Sequence, residues 1–443
     1  MLIQFTANNY LSFKEEIKFS LVASSLKDKK VGDDLVIFNP IQNNKLRLLK
    51  SAVIYGANAS GKSNFISAIR FYRSFISNSS RATQVDDKID VENYKLNSEC
   101  DNEPSVFEAI FLIYGKQYRY GFAVTEDKIE SEWLYLKEIK PKAKEIELFF
   151  REENTFPNVH DKFAIAKDLV NKQMVRPNAL LLSVAAQFND PIAAEIFHWI
   201  GNFNSISGLK EDGYKSYTVS KLNHPIDGQR IINFTKFADL GIDDLKVIQG
   251  NISEVNPSEN SPEVLNNEVK KAFIGKPVNS LVSFHQKFDK DLKETELVMF
   301  PFYKNESMGT QKYFSLAGPI LDTLDNGKIL VIDELDSKLH PLLTEKIISL
   351  FNSKETNPKN AQLIFTSHDT NLLSSQLFRR DQIWFTHKNR YGATTMYSLA
   401  EYKEAVRNDA SFEKNYLEGK YGAVPSFKNF KKIFTQKNNS NNG

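Results

Sequence analysis

Residues 56–63 read Gly56-Ala57-Asn58-Ala59-Ser60-Gly61-Lys62-Ser63, which fits the pattern G-x-x-x-x-G-K-[S/T]. An apolar run over residues 48–55 precedes this loop and predicts a buried strand, and residues 62–77 have helical spacing. A strand, a glycine-rich loop and a helix in this order are typical of an α/β fold whose loop binds phosphate. The alternative, an ordinary Gly/Ser turn that caps a helix, is disfavoured by this context.

The loop carries the chemistry that a nucleoside triphosphate requires. Its glycines let the backbone turn so that successive N–H groups face phosphate oxygens, and the helix N-terminus adds the positive end of its dipole. Lys62 would neutralise charge on the β- and γ-phosphates, and Ser63 Oγ would bind Mg²⁺. The pattern therefore predicts a site for ATP and Mg²⁺.

Two further apolar runs end in polar side chains. The run 329–332 is followed by Asp333 and Glu334, and the run 363–365 leads to His368. In a parallel sheet these side chains reach the crevice at the carboxyl ends of the strands, where ligands bind. Asp333 would hold Mg²⁺ through water, Glu334 would orient or deprotonate the attacking water, and His368 would contact the γ-phosphate. A helix cap, a loop acid and a structural histidine are the alternatives.

Residues 306–312 precede another predicted helix and include Ser307 and Gly309. Together with the helix N-terminus they would form a second anion cradle, which one chain does not need for its own phosphates. A simple helix cap is the alternative. His340 lies just before Pro341 at the start of a further helix, and we assign it a structural role.

The sequence predicts an α/β fold with parallel strands from both ends of the chain, an antiparallel β subdomain and an inserted, mostly helical region. Period-two alternation over residues 106–136 indicates the antiparallel meander. The predicted divisions are residues 1–136 with the glycine-rich loop and meander, 137–287 as the helical insertion, 288–400 as the second half of the core, and 401–443 as a basic and aromatic segment.

Composition excludes several classes of site. Among 443 residues, 57 basic and 55 acidic side chains leave a net charge of +2, so no global field attracts nucleic acid. Cys100 is the only cysteine, which excludes an internal disulfide and a cysteine-based zinc site. No apolar run approaches the roughly 18 residues of a membrane span. A cytoplasmic protein without membrane contact is expected.

The ordered motifs resemble those of the ABC-type ATPases, in particular their SMC-like, non-transporter branch. They are GANASGKS at 56–63, ESMGTQ at 306–311, ILVIDELDSKLHP at 329–341 and LIFTSHD at 363–369. Within that branch the sequence is similar to the AAA_15 group of bacterial defence ATPases, such as the RloA type and the ATPase subunit of the PARIS system. That likeness rests on RPNALLLS at 176–183 and YLEGKYGAVP at 416–425.

The resemblance implies roles for particular residues. Ser307 and Gly309 would belong to a signature loop that completes the ATP site of a partner subunit, so a homo-oligomer with shared sites is expected. Asp336 would be the D-loop residue and His368 the switch histidine. The glutamine of the usual Q-loop has no evident counterpart near the meander.

The resemblance also implies a sensor or scaffold subunit of an antiphage system that controls a separately encoded effector, either a nuclease or a toxin-like protein, with a phage protein as trigger. The alternative is a DNA-repair or chromosome-maintenance ATPase of the SMC/RecF kind that clamps DNA, although the sequence has no long heptad arm. A transporter subunit is disfavoured by the helical insertion. A fused nuclease is disfavoured because no D-x-D cluster follows His368.

The last segment combines lysines with an apolar stripe at helical spacing. The lysines are Lys420, Lys428, Lys431, Lys432 and Lys437, and the stripe is Tyr421, Val424, Phe427, Phe430 and Phe434. Such a stripe predicts docking on the ATPase core or on a partner rather than nucleic-acid contact, because phosphates need only the lysines. A solvated tail is the plain alternative for the final residues.

Overall fold

A computed structural model describes residues 1–25, 36–40, 46–81, 84, 86–140, 142–238, 241–251, 277–374, 376–402 and 411–425. The strands in chain order are β1 (Leu2–Asn8), β2 (Ile17–Ser20), β3 (Ile37–Phe38), β4 (Leu48–Leu49), β5 (Ser51–Tyr55), β6 (Ser105–Ile113), β7 (Lys116–Val124), β8 (Ile129–Glu138), β9 (Ile146–Glu152), β10 (Thr155–Val159), β11 (Phe203–Ser207), β12 (Asp244–Asn251), β13 (Pro277–Phe288), β14 (Glu294–Pro301), β15 (Ile329–Asp333), β16 (Gln362–Thr366), β17 (Ile383–Lys388) and β18 (Thr394–Ser398). The helices are α1 (Lys62–Asn78), α2 (Ala164–Asn171), α3 (Leu181–Gln187), α4 (Pro191–Gly201), α5 (Asp212–Leu222), α6 (Pro225–Lys236), α7 (Phe302–Asn305), α8 (Met308–Asn326), α9 (Pro341–Asn352) and α10 (Phe412–Leu417).

The chain divides into two compact units. The first comprises Met1–Ser205, Asn326–Leu335 and Glu345–Gly443, and the second comprises Ile206–Asp325 and Asp336–Thr344. In the described part of the chain, no helix combines the length and the apolar character that crossing a bilayer requires.

A six-stranded sheet confirms that both ends of the chain share one sheet, with the order β11-β15-β16-β5-β17-β18. β15, β16, β5 and β17 run parallel, and β18 pairs antiparallel with β17. Every residue of β5 and β16 is buried, which explains their continuous apolar runs. The predicted strand over residues 48–55 is divided, because β4 pairs with β3 while β5 joins this sheet.

The predicted antiparallel meander is confirmed within a seven-stranded sheet of order β10-β9-β8-β7-β6-β1-β2. The predicted boundary at residue 136 lies inside β8, whose sheet continues through β9 and β10. Residues 137–287 therefore hold helices α2–α6 and also strands β9–β13. The apolar face of α1 packs on this sheet, where the Tyr72 ring stacks on Phe122 with centroids 5.5 Å apart.

The RPNALLLS segment at 176–183 joins this sheet to α1. Arg151 on β9 donates to three of its backbone carbonyls, and Glu132 on β8 accepts a hydrogen bond from the Leu181 N–H at 2.7 Å. Ser183 Oγ donates to a backbone carbonyl of α1 at 2.6 Å. Because Glu132 and Arg151 are fully buried, this motif has a structural explanation.

The described part of the C-terminal segment packs on the protein's own core. Tyr421 is fully buried, and its ring lies 5.2 Å from that of Phe385 on β17. The Tyr416 ring, on α10, also stacks on Phe385, with ring centroids 5.5 Å apart. Docking on the core is thus observed for Tyr416 and Tyr421, whereas Phe427, Lys428, Phe430, Lys431, Lys432, Phe434 and Lys437 lie outside the described residues.

The second unit has a core of its own. An antiparallel sheet of order β12-β13-β14 packs against helices α5 to α8. Its buried apolar side chains are Leu222, Ile231, Ile242, Leu245, Leu281, Phe302, Phe314 and Ala317. This unit carries the ESMGTQ segment, whose last four residues open α8.

Candidate functional site

The carboxyl ends of the parallel strands bring most of the predicted site residues of the first unit together. The glycine-rich loop follows β5, Glu334 follows β15 and His368 lies two residues beyond β16. They surround an open cleft of about 430 Å³. Its described lining residues all belong to the first unit and are Asn58, Ala59, Ser60, Gly61, Lys62, Ser63, Asn64, Glu334, His368 and Lys388. The structure therefore brings together residues 58–63, Glu334 and His368, whereas the predicted residues Gly56, Ala57 and Asp333 are not among the described lining residues of the cleft.

The loop has the close-packed backbone that the glycine pattern predicts. Gly61 has φ 111°, a left-handed conformation, and a Cβ on it would lie 2.6 Å from the Thr394 side chain. A Cβ on Gly56 would lie 2.6 Å from the Thr386 carbonyl oxygen. Both positions exclude a side chain, so the loop can curve tightly around a phosphate.

Lys62 is 5 % exposed, and its ammonium turns into the loop. Nζ donates to the carbonyl oxygens of Gly56 at 2.8 Å and Ala57 at 3.1 Å. Phosphate oxygens placed in the loop would compete with these carbonyls for the same ammonium protons. Ser63 is exposed at the cleft, as a Mg²⁺ ligand must be.

Three polar residues that sequence reasoning missed brace the loop from distant segments. Thr386 Oγ1 and Ser60 Oγ lie 2.7 Å apart, and Thr394 Oγ1 donates to the Ser60 carbonyl oxygen at 2.9 Å. Ser12 Oγ lies 2.8 Å from Thr394 Oγ1. Their only sequence signals are a threonine directly after the apolar run 383–385 and the serine of the opening Asn-Tyr-Leu-Ser-Phe-Lys stretch. Lys388 lines the cleft and was also missed, because the sequence around it contains no motif that indicates a functional residue.

A threonine holds Asp333 by its carboxylate and Glu334 by its backbone. Thr366 Oγ1 donates to Asp333 Oδ1 and accepts from the Glu334 N–H, both at 2.7 Å. Glu334 has φ 55°, an uncommon conformation for a residue other than glycine, and this turn directs it into the cleft. His368 Nε2 lies 4.0 Å from Glu334 Oε1, so both groups face the same space.

The donor set fits Mg²⁺ bound mainly through phosphates and water. Among the described residues, no group of three His, Cys, Asp or Glu side chains is arranged to hold a metal ion. Mg²⁺ commonly uses one or two protein oxygens together with nucleotide phosphates and waters. Ser63 Oγ and the Asp333 carboxylate are oxygen donors of that kind.

The remaining predicted residues lie in the second unit. Ser307 Oγ accepts a hydrogen bond from the Thr310 N–H at 3.1 Å. This contact is that of a helix cap, which was the alternative to an anion site. A Cβ on Gly309 would lie 2.8 Å from the carbonyl oxygen of Lys338, which is two residues after Asp336 in the sequence. These residues do not belong to the described lining of the cleft in the first unit.

His340 has the structural role assigned to it. Its Nδ1 accepts from the Leu342 N–H at 3.2 Å at the start of α9. The imidazole therefore acts as a helix cap.

The solved structures that resemble the chain include an SMC head domain and a RecF protein. The SMC head domain from Thermotoga maritima is 13% identical, covers 90% of this chain and 98% of that chain, and has a TM-score of 0.36. The recombination mediator protein RecF with ATP is also 13% identical, covers 89% and 97%, and has a TM-score of 0.31. No curated protein matches the sequence.

One family model matches residues 51–374, which include the glycine-rich loop, the segment 306–311, Asp333, Glu334 and His368. It is described as "AAA domain, putative AbiEii toxin, Type IV TA system". Because the match spans nearly three quarters of the sequence, the chain belongs to this AAA family, AAA_21.

Proposed function

We propose that the protein is a Mg²⁺-dependent ATPase of the ABC type. The observation that carries this proposal is the meeting of the glycine-rich loop, Glu334 and His368 around one cleft at the carboxyl edge of the parallel sheet. Family membership supports it, because the matched region includes all of these residues.

Each side chain has a role that its position supports. The loop N–H groups and the Lys62 ammonium bind the β- and γ-phosphates. Glu334 orients the attacking water and accepts its proton, while His368 contacts the γ-phosphate. Thr366 holds the Asp333 carboxylate and the Glu334 backbone N–H, so it is a positioning residue. When bound at Ser63 and Asp333, Mg²⁺ would neutralise phosphate charge.

Glu334→Gln should separate binding from hydrolysis. Glutamine keeps the size of the side chain but cannot accept the proton, so we expect hydrolysis at least about a hundredfold slower with ATP affinity unchanged. Phosphate release and calorimetric titration measure the two quantities. Normal turnover in this variant would assign the role of base to another residue.

We further propose that two subunits share their ATP sites, with Ser307 and Gly309 of one chain facing the nucleotide of the other. Ser307 is exposed directly before the N-terminus of α8, a position at which helix N–H groups favour an anion. A charged substitution at Gly309 is unsuitable as a test, because its side chain would press on Lys338 of the same chain. Ser307→Asp is better, since aspartate caps a helix as well as serine does and adds only a negative charge.

Ser307→Asp should bind ATP and fail to hydrolyse it, because its carboxylate repels the γ-phosphate of the partner. Ser307→Asn is the matched neutral control and should retain more activity. Mixed in equal amounts, Ser307→Asp and Lys62→Ala subunits should recover about a quarter of the wild-type rate, because half of the random pairs regain one of two sites. A Ser307→Asp chain that is fully active alone excludes the shared site.

In the cell, we propose a sensor or scaffold role in antiphage defence, with a separately encoded nuclease or toxin-like effector and a phage protein as trigger. The family description names a toxin and a Type IV TA system, which supports a function together with a second protein. The AAA_15 subgroup stays a prediction.

Co-purification with the product of the neighbouring gene, with and without ATP, tests this role. ATP-dependent capture of that product is expected. ATPase activity that is stimulated by DNA and falls steeply with salt, without such capture, would favour the alternative of a DNA-clamping SMC/RecF-like enzyme.

A further inference from the structure

The residue before Ser307 is tied to the three-stranded sheet of the second unit. The Glu306 side chain is only 10% exposed. Its Oε1 lies 2.7 Å from His285 Nε2 and accepts from Ser283 Oγ at 2.5 Å. A carboxylate only accepts hydrogen bonds, so the pairing places the imidazole proton on Nε2.

The two donors stand on a rigid element. Ser283 and His285 lie on β13, the central strand, where Ser283 pairs with Leu245 on one side and Phe300 on the other. The edge of the His285 ring meets the Phe300 ring with centroids 5.4 Å apart. Leu245 is buried in the core of the unit, so packed strands set the position of Ser283 and His285.

Glu306 is also tied to the helix that follows. Its carbonyl oxygen accepts from Gln311 Nε2 at 2.9 Å, in the first turns of α8. The next residue, Ser307, caps the same helix through Thr310. The side chain of Glu306 is therefore bound to the sheet, while its backbone belongs to the signature loop.

We propose that His285 is a positioning residue for the signature loop: it holds Glu306 and thereby sets the orientation of Ser307 toward a partner's nucleotide. This inference rests on the proposed shared ATP site. It also connects the predicted insertion to the site, because β13 begins within residues 137–287. The resemblance identifies no Q-loop glutamine near the meander that would make this connection. A displacement of β13 would alter hydrolysis without touching the phosphate-binding loop of the same chain.

Two substitutions at His285 separate hydrogen bonding from packing. His285→Leu leaves the Glu306 carboxylate with one donor, and His285→Gln restores an N–H donor while removing the aromatic ring. We expect His285→Leu to lower kcat by about tenfold or more, the scale of a lost hydrogen bond to a charged group, with the Kd for ATP within about twofold of wild type. His285→Gln should recover most of the rate.

Lys287→Ala is the matched control on the same strand. It removes a surface ion pair with Glu296, in which the two side chains are 57% and 67% exposed, and should leave kcat unchanged. A His285→Gln rate as low as that of His285→Leu would show that the ring packs rather than positions, and would overturn the proposal.

Ser307→Asp, measured alongside, separates this inference from the function on which it rests. If Ser307→Asp abolishes hydrolysis while His285→Leu keeps the wild-type rate, the positioning role is wrong and the shared site stands. If both variants hydrolyse ATP normally, the shared site and the positioning role fall together.

Discussion

Lys62→Ala is expected to weaken ATP binding by about a thousandfold, which corresponds to roughly 4 kcal/mol. The ammonium is the one loop side chain that carries a full positive charge, and it is already directed into the loop by Gly56 and Ala57. Without it, the phosphates keep only the N–H groups and the helix dipole. Isothermal titration with ATP in the presence of Mg²⁺ gives the affinity.

Lys18→Ala is a suitable control for charge alone, because the Lys18 side chain is 58% exposed and pairs with Glu16 at the surface. It should bind ATP like the wild type. Unchanged affinity in Lys62→Ala would contradict the assignment of residues 56–63 as the phosphate-binding loop.

Arg151→Met is expected to lower the free energy of unfolding by about 3–5 kcal/mol, the scale of removing one partner from a buried charged pair. Arg151 Nη1 lies 3.7 Å from Glu132 Oε2, and both side chains are fully buried. Methionine fills much of the volume but leaves the carboxylate uncompensated and the carbonyl oxygens of 176–183 without their donors. Chemical denaturation followed by circular dichroism gives the free energy.

The loss in Arg151→Met should shrink as the pH falls. Burial raises the pKa of the Glu132 carboxyl above its usual value, although Arg151 and the N–H groups of Leu181 and Leu182 oppose this shift. When the pKa of a carboxyl is higher in the folded state than in the unfolded state, its protonation stabilises the folded state. That stabilisation is lost as the pH rises through the pKa of the folded state. Acid therefore protonates Glu132 and removes the buried charge.

Arg119→Met is the matched control on the same sheet. The Arg119 side chain is 29% exposed and pairs with Glu108 and Glu145, so its loss should cost less than about 1 kcal/mol. Equal losses in the two variants would contradict the special contribution of the buried pair.

The parts of the site that depend on local sequence were predictable. The strand before Gly56, helix α1 and the two carboxylates at the end of β15 follow from apolar runs, from helical spacing and from one short motif. Their convergence follows from the parallel arrangement of strands. His340 was also predictable, because a polar residue before a proline is typical of a helix start.

The parts that depend on distant contacts were not predictable. Ser12 and Thr394 meet at the glycine-rich loop across 382 positions of sequence, and neither has a local pattern that indicates this. The pairing of His285 with Glu306 joins a strand to a helix start in the same way. Residues 137–287 read as mostly helical because strands β9–β13 lack a strict period-two alternation in the sequence, although β9 and β10 extend the large sheet.

Phosphate release from ATP by the wild-type chain, measured with Mg²⁺ and again after chelation by EDTA, tests the ATPase assignment most directly. We expect release that saturates with ATP, requires Mg²⁺ and is at least about a hundredfold slower in Glu334→Gln, although that variant still binds ATP. Release that persists equally in EDTA and in Glu334→Gln, or no release from a wild-type chain that binds ATP, would contradict it.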